Sequence, residues 1–79
     1  MSTLHRLIWD FRGPEAQHFA KHHAKHLKEY VNMEKLEDIS CDIQELTPMR
    51  WIAYMQGEKQ KMESIKSILK PQFEASIKL

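Results

Sequence analysis

The sequence predicts an α+β domain in which four strands and two helices follow the order βαββαβ. Two segments with apolar residues at spacings of three and four separate four segments in which apolar residues alternate or run together. Glycine or proline stands at most of the joins between them. The chain has 79 residues, 42% of them hydrophobic and 29% charged, which is typical of one small globular unit. We therefore expect residues 1–79 to form a single domain.

The first strand is predicted from Leu4 to Phe11. Leu7, Trp9 and Phe11 share one face of this segment, and Leu4 and Ile8 share the other. A strand that is apolar on both faces is typical of the middle of a sheet.

The first helix is predicted from Pro14 to about Glu34. Pro14 is expected at the first helical position, where its missing N–H costs nothing, and Glu15 is expected to complement the positive helix N-terminus. The predicted apolar stripe consists of Ala16, Phe19, Ala20, His23, Ala24, Leu27, Tyr30 and Val31.

The next two strands form a predicted hairpin. Ile39, Cys41 and Ile43 alternate with polar residues, which indicates an edge strand. Thr47–Pro48 supplies the turn. Arg50–Gln56 is again apolar on both faces and is predicted to be central.

Gly57 is expected to end the third strand. The second helix is then predicted over Glu58–Lys70, and Pro71 is expected to stop it. Its apolar stripe consists of Met62, Ile65, Ile68 and Leu69. Phe73–Leu79 alternates between apolar and polar residues and predicts a last edge strand.

A βαββαβ order with the first and third strands in the middle is that of the ferredoxin-like sandwich. Such a sandwich has a four-stranded antiparallel sheet with both helices on one face. The other face is then expected to carry Leu4, Ile8, Ile52 and Tyr54 along its middle. The predicted polar surround consists of Arg6, Asp10, Asp42, Gln44, Arg50, Glu74 and Lys78.

An apolar centre with a polar rim is typical of an interaction surface, so we expect Leu4, Ile8, Ile52 and Tyr54 to form an interface. The simplest partner is a second copy, which predicts a homodimer, although another protein partner would fit the same pattern. A domain this small also gains much from burying further apolar surface.

Composition argues against several other classes of function. A formal net charge of +1 gives no basic excess for nucleic acid, and the third strand lacks the aromatic signature of RNA-binding domains with this topology. Only two glycines occur, so a glycine-rich phosphate loop is excluded. We find no apolar run long enough for a membrane span or signal peptide, and the single cysteine favours the reducing cytoplasm.

Four of the five histidines lie in the first predicted helix. His18, His22 and His26 are spaced four apart and follow one flank of it, and neighbours at this spacing can share a metal ion. A protein that binds a divalent transition metal through these three residues is the first alternative function. Apart from this possibility we expect no cofactor.

The second alternative is an enzyme or binder of small molecules. Dimeric ferredoxin-like proteins can form a cleft between sheet and helices, and His5 and His23 are the candidates to line it. Cys41 is predicted to be a buried, inert thiol. No catalytic motif is found, so the sequence favours a non-enzymatic module.

Overall fold

The structure is a computed structural model that describes residues 3–78, with side chains described for residues 4–77. The elements are β1 (Thr3–Arg12), α1 (Ala16–Met33), β2 (Ser40–Thr47), β3 (Arg50–Glu58), α2 (Lys59–Leu69) and β4 (Phe73–Lys78). The predicted α+β class and βαββαβ order are confirmed.

The four strands form one antiparallel sheet in the order β2-β3-β1-β4. β1 and β3 are therefore central, as their two apolar faces predict, and β2 and β4 are edges. In this register Ile8 of β1 lies opposite Tyr54 of β3 and opposite Phe73 of β4.

Both helices pack on the same face of the sheet. One cluster of buried side chains joins odd-numbered residues of β1 and β3 to residues of α1 and α2. It consists of Leu7, Trp9, Ala24, Leu27, Ala53, Met55, Met62 and Ile65. Leu7, Met55 and Met62 are the largest side chains that are fully buried, and several other core positions are alanines. The core is therefore small, as expected for a chain of this length.

The start of α1 differs from the prediction. The helix begins at Ala16 with Glu15 as its N-cap, so Pro14 lies before the helix rather than in its first turn. Gly13 has a φ of 112°, and its carbonyl accepts a hydrogen bond from the Ala16 amide at 3.1 Å. Because of this turn, the first helical residue is Ala16, directly after Glu15.

The expectation that Gly57 ends the third strand is wrong. β3 continues to Glu58, with Gly57 paired to His5 on β1. A Cβ at position 57 would lie 3.0 Å from Cγ1 of Ile39, so the close packing of that side chain explains the glycine. α2 ends at Leu69, and Lys70 follows in the left-handed conformation before Pro71.

The apolar stripes of the helices are narrower than predicted. Phe19 of α1 is 51% exposed and Ile68 of α2 is 63% exposed. The buried residues of α1 are Ala16, Ala20, Ala24 and Leu27. Tyr30 and Val31 are partly buried and pack against the core. Phe19 lies beside the buried residues of the helix, with its ring edge-on to His18 at a centroid distance of 5.9 Å.

Candidate functional site

Within residues 3–78, the sheet face opposite the helices has no element covering it. We call it the open face. Its strand pairs place on it Leu4, Arg6, Ile8, Asp10, Asp42, Gln44, Arg50, Ile52, Tyr54, Phe73, Ala75 and Ile77. All four predicted interface residues, Leu4, Ile8, Ile52 and Tyr54, therefore lie on the open face.

The prediction places the wrong side of β4 on the open face. Glu74 pairs with Leu7 and so lies on the helix side, whereas Phe73 pairs with Ile8 and lies on the open face. Ala75 and Ile77 follow Phe73 by the alternation of the strand. The side chain of Lys78, also predicted on this face, lies outside the described residues.

A polar contact on the helix side explains this register. His5 shares the inward face of β1, where it is 8% exposed, and its Nε2 lies 2.7 Å from Oε1 of Glu74. The Lys66 ammonium of α2 donates to the same oxygen at 3.3 Å. Hydrogen bonds from His5 and Lys66 hold the pKa of Glu74 below its usual value. A buried imidazole needs polar neighbours, so the polar residues of β4 face inward beside it.

An apolar depression of 220 Å³ lies towards one end of the open face. Its lining residues are Ile8, Asp10, Leu46, Arg50, Ile52 and Phe73. Phe73 is 53% exposed and Leu46 is 44% exposed, whereas Ile52 is buried. Leu46 lies at an irregularity in the pairing of β2 with β3, between Glu45 and Thr47. Large apolar side chains therefore surround a shallow hollow and remain partly in solvent.

One end of the open face carries a charged cluster. The Asp10 side chain is only 7% exposed, and its carboxylate accepts hydrogen bonds from Nε of Arg12 at 3.0 Å and Nε of Arg50 at 3.1 Å. Burial opposes the ionised carboxylate, but the two guanidinium groups outweigh it and hold the pKa of Asp10 below its usual value. This end of the face therefore carries a nearly buried negative charge enclosed by two positive ones.

In the other half of the face, a guanidinium group lies over an aromatic ring. The Arg6 guanidinium lies over the Tyr54 ring, with Cζ 4.1 Å from its centroid. Arg6 also donates from Nε and Nη2 to Oε1 of Gln56, at 3.0 and 2.7 Å. One face of the Tyr54 ring is thus occupied by a fixed cation.

The structure brings together two of the three histidines predicted to bind a metal. Nε2 of His22 lies 3.0 Å from Nε2 of His26, and Nδ1 of His26 lies 3.3 Å from Oε1 of Glu29. His18 instead has its ring against Phe19. Within residues 3–78, no group of three or more His, Cys, Asp or Glu side chains is placed to hold a metal ion.

The two histidines predicted to line a cleft lie in different environments. The His23 ring packs against Trp9 at a centroid distance of 4.8 Å and against Phe11 at 5.7 Å. Trp9 is four residues along β1 from His5, a distance of about 13 Å. Burial, and then the neighbouring His26 and His22, lower the pKa of His23. The structure therefore does not bring His5 and His23 together.

Cys41 is half-buried on β2. Desolvation raises its pKa to about 11, so the thiol is protonated at neutral pH. The prediction of a buried thiol is therefore wrong in its burial, while the raised pKa supports an unreactive thiol.

A second groove of 410 Å³ lies between α1 and β2. Three lysines line it together with Glu29, Asp42, Asn32 and two apolar residues, and those lysines are Lys21, Lys25 and Lys28. Because acidic residues share the same walls, the groove does not present one sign of charge.

Comparison of the chain with protein-family models, curated proteins and solved structures finds no match. Of the helices in the described part of the chain, neither is long and apolar enough to cross a membrane. The functional interpretation of the candidate sites therefore depends on their geometry and chemistry alone.

Proposed function

We propose that this chain is a ferredoxin-like, non-enzymatic binding module of the cytoplasm that forms a homodimer through its open face. The observation that carries the proposal is the apolar depression on that face. It is formed by side chains from all four strands and is bounded by charged groups.

The sheet order β2-β3-β1-β4, with both helices on one face, supports the ferredoxin-like assignment. In the part of the chain that the structure describes, this arrangement leaves one sheet face without a helix. Stable antiparallel sheets commonly face water on one side, but that side is then polar. Here the same side carries Leu4, Ile8, Phe73 and Ile77, which favours a covering partner.

A second copy suits the charge of the molecule. The net charge of +1 gives little repulsion between copies. Near the depression, the negative Asp10 is already paired with Arg12 and Arg50. The apolar residues around the depression can therefore meet their copies without bringing an unpaired carboxylate into the interface. In a two-fold interface each patch must complement itself, and the apolar part of this patch does so.

The dimensions are also suitable. Four strands about 4.8 Å apart, with lengths of about 20 to 33 Å, give a projected face of about 500 Å². The accessible area of such a corrugated surface is larger, and a typical stable interface buries about 800 Å² on each partner. The open face therefore offers much of the area that a dimer needs, without the helices.

Other partners are less well supported. The net charge of +1 gives no basic excess for nucleic acid, and the Arg6 guanidinium occupies one face of Tyr54, one of the two aromatic rings described on the open face. A different protein could use the apolar depression, and it is an outcome of the experiment below. The single cysteine, with its high pKa, is consistent with the reducing cytoplasm.

Two phenylalanines of nearly equal exposure offer a matched test. Phe73 lies on the open face and is 53% exposed, whereas Phe19 lies on the helix layer and is 51% exposed. We expect Phe73→Ser to raise the dimer dissociation constant at least a hundredfold, because the two copies together lose about 3 kcal/mol or more of apolar burial. Phe19→Ser is expected to leave it unchanged.

Sedimentation velocity over a range of concentrations measures both variants. The wild-type protein is expected at twice the chain mass of 9.4 kDa, and the Phe73→Ser variant is expected near the mass of one chain. Circular dichroism spectra that match the wild type show that both variants fold. A wild-type protein that stays monomeric at millimolar concentration contradicts the homodimer and leaves a different protein as the occupant. Equal effects of the two substitutions contradict the open face as the interface.

A further inference from the structure

We propose that His22 and His26 form a surface site for one divalent transition-metal ion, of which copper is bound most tightly and nickel and zinc less so. Both Nε2 atoms coordinate the ion, and its remaining positions stay open to water or to a ligand from another molecule. The site is on the helix layer, away from the open face, so it does not depend on the proposed homodimer.

The distance between the two nitrogens is the first support. Two ligands at 2.0–2.1 Å from one ion are about 2.9 Å apart in a square arrangement and about 3.4 Å apart in a tetrahedral one. The Nε2 atoms of His22 and His26 are 3.0 Å apart. Small rotations of the rings therefore suffice to bring both lone pairs onto one ion.

The backbone holds the pair in place. The two residues are four apart on α1, which spans 18 residues, so their side chains lie one above the other. Ala20, Ala24 and Leu27 bury the opposite side of the same turns against the sheet. The two Cα positions are thus fixed by the core before any ion arrives.

Glu29 supplies the outer contact that metal-binding histidines usually have. Its Oε1 lies 3.3 Å from Nδ1 of His26, which favours a proton on that nitrogen. Neutral His26 then presents an unprotonated Nε2, the form that binds a metal. The two Nε2 atoms lie within hydrogen-bond distance, and the tautomers decide which of them donates, so binding requires that this one proton leave the shared position.

The exposure of the pair suits a site with open positions. His22 and His26 are both exposed, and the side chains of His26 and Glu29 are each 60% exposed. An ion can reach the two nitrogens without a change in the fold. Since only two protein ligands are present, the order of affinity is expected to follow the intrinsic preference of imidazole for copper over nickel and zinc.

Isothermal titration calorimetry of the untagged, metal-free chain with Cu²⁺ and, separately, Ni²⁺ tests the site. We expect the wild-type chain to bind one such ion at this site. His22→Gln or His26→Gln is expected to lower the affinity of the site for the ion at least a hundredfold. Glu29→Gln is expected to lower it about tenfold, as is usual for an outer partner. His18→Gln is the matched control, since His18 is exposed on the same helix but has its ring against Phe19.

The electron paramagnetic resonance spectrum of the Cu²⁺ complex gives a second measurement. It should show nitrogen coupling that disappears in His22→Gln and persists in His18→Gln. Wild-type affinity in His22→Gln overturns the proposal, because the ion is then bound elsewhere. An equal loss in His18→Gln also overturns it, because three histidines rather than two would then hold the ion. Circular dichroism at each step confirms that α1 remains folded.

Discussion

Asp10 shows how a single residue can hold a charge on a face that is otherwise apolar at its centre. Its carboxylate is almost excluded from water, but two guanidinium groups hydrogen-bond to it. Removing Asp10 deprives both guanidinium groups of an acceptor, but Arg12 and Arg50 are partly exposed and stay hydrated, so the loss is near the upper end for a surface ion pair. Asp10 is therefore expected to contribute to stability in its ionised form.

Asp10→Asn is predicted to lower the free energy of unfolding by about 1 kcal/mol at pH 7. The pKa of Asp10 is lower in the folded protein than in the unfolded chain. Its contribution is therefore complete above the unfolded pKa of about 3.9 and is lost as the pH falls through the folded pKa. Urea unfolding at several pH values should show the difference between wild type and variant shrinking below about pH 4. A difference that stays constant down to pH 2 contradicts this account.

At the scale of elements, α2 contacts the sheet with one side only. This predicts which of its side chains contribute to the free energy of unfolding. Leu7→Ala in β1 is expected to lower the free energy of unfolding by about 2–5 kcal/mol, because Leu7 is fully buried. Ile68→Ala is expected to change it by less than about 0.5 kcal/mol, because Ile68 is 63% exposed. Urea unfolding of both variants measures this. Similar losses would contradict the orientation of α2.

Patterns within single elements were sufficient to predict the element order and the central strands. β1 and β3 are apolar on both faces, and this property does not depend on distant residues. The face of β4 could not be predicted in the same way. Alternation separates Phe73, Ala75 and Ile77 from Glu74 and Ser76, but it does not say which set faces the helices.

His5 was the signal that could have decided the orientation of β4. It shares the inward face of β1 with Leu7 and Trp9, so a polar residue of a neighbouring strand had to face inward beside it. The pairing of His22 with His26 followed from their spacing. The separation of His18 from that pair did not, because it depends on the ring contact with Phe19.

At the scale of the whole molecule, a small core and a partly apolar open face belong together. In the described part of the chain, four of the eleven buried hydrophobic residues are alanines, so folding of one chain buries limited apolar area. Leu46 and Phe73 remain about half exposed over the depression. Covering them in a second copy would add apolar burial that the single chain lacks.

Isotope-filtered nuclear Overhauser spectroscopy on an equal mixture of ¹³C-labelled and unlabelled chains tests the central claim most directly. Contacts between labelled and unlabelled chains arise only across an interface between copies. We predict such contacts for the methyl groups of Ile8, Leu46 and Ile52 and for the ring of Phe73. Their absence at millimolar concentration, or intermolecular contacts confined to α1 and α2, would contradict a homodimer formed through the open face.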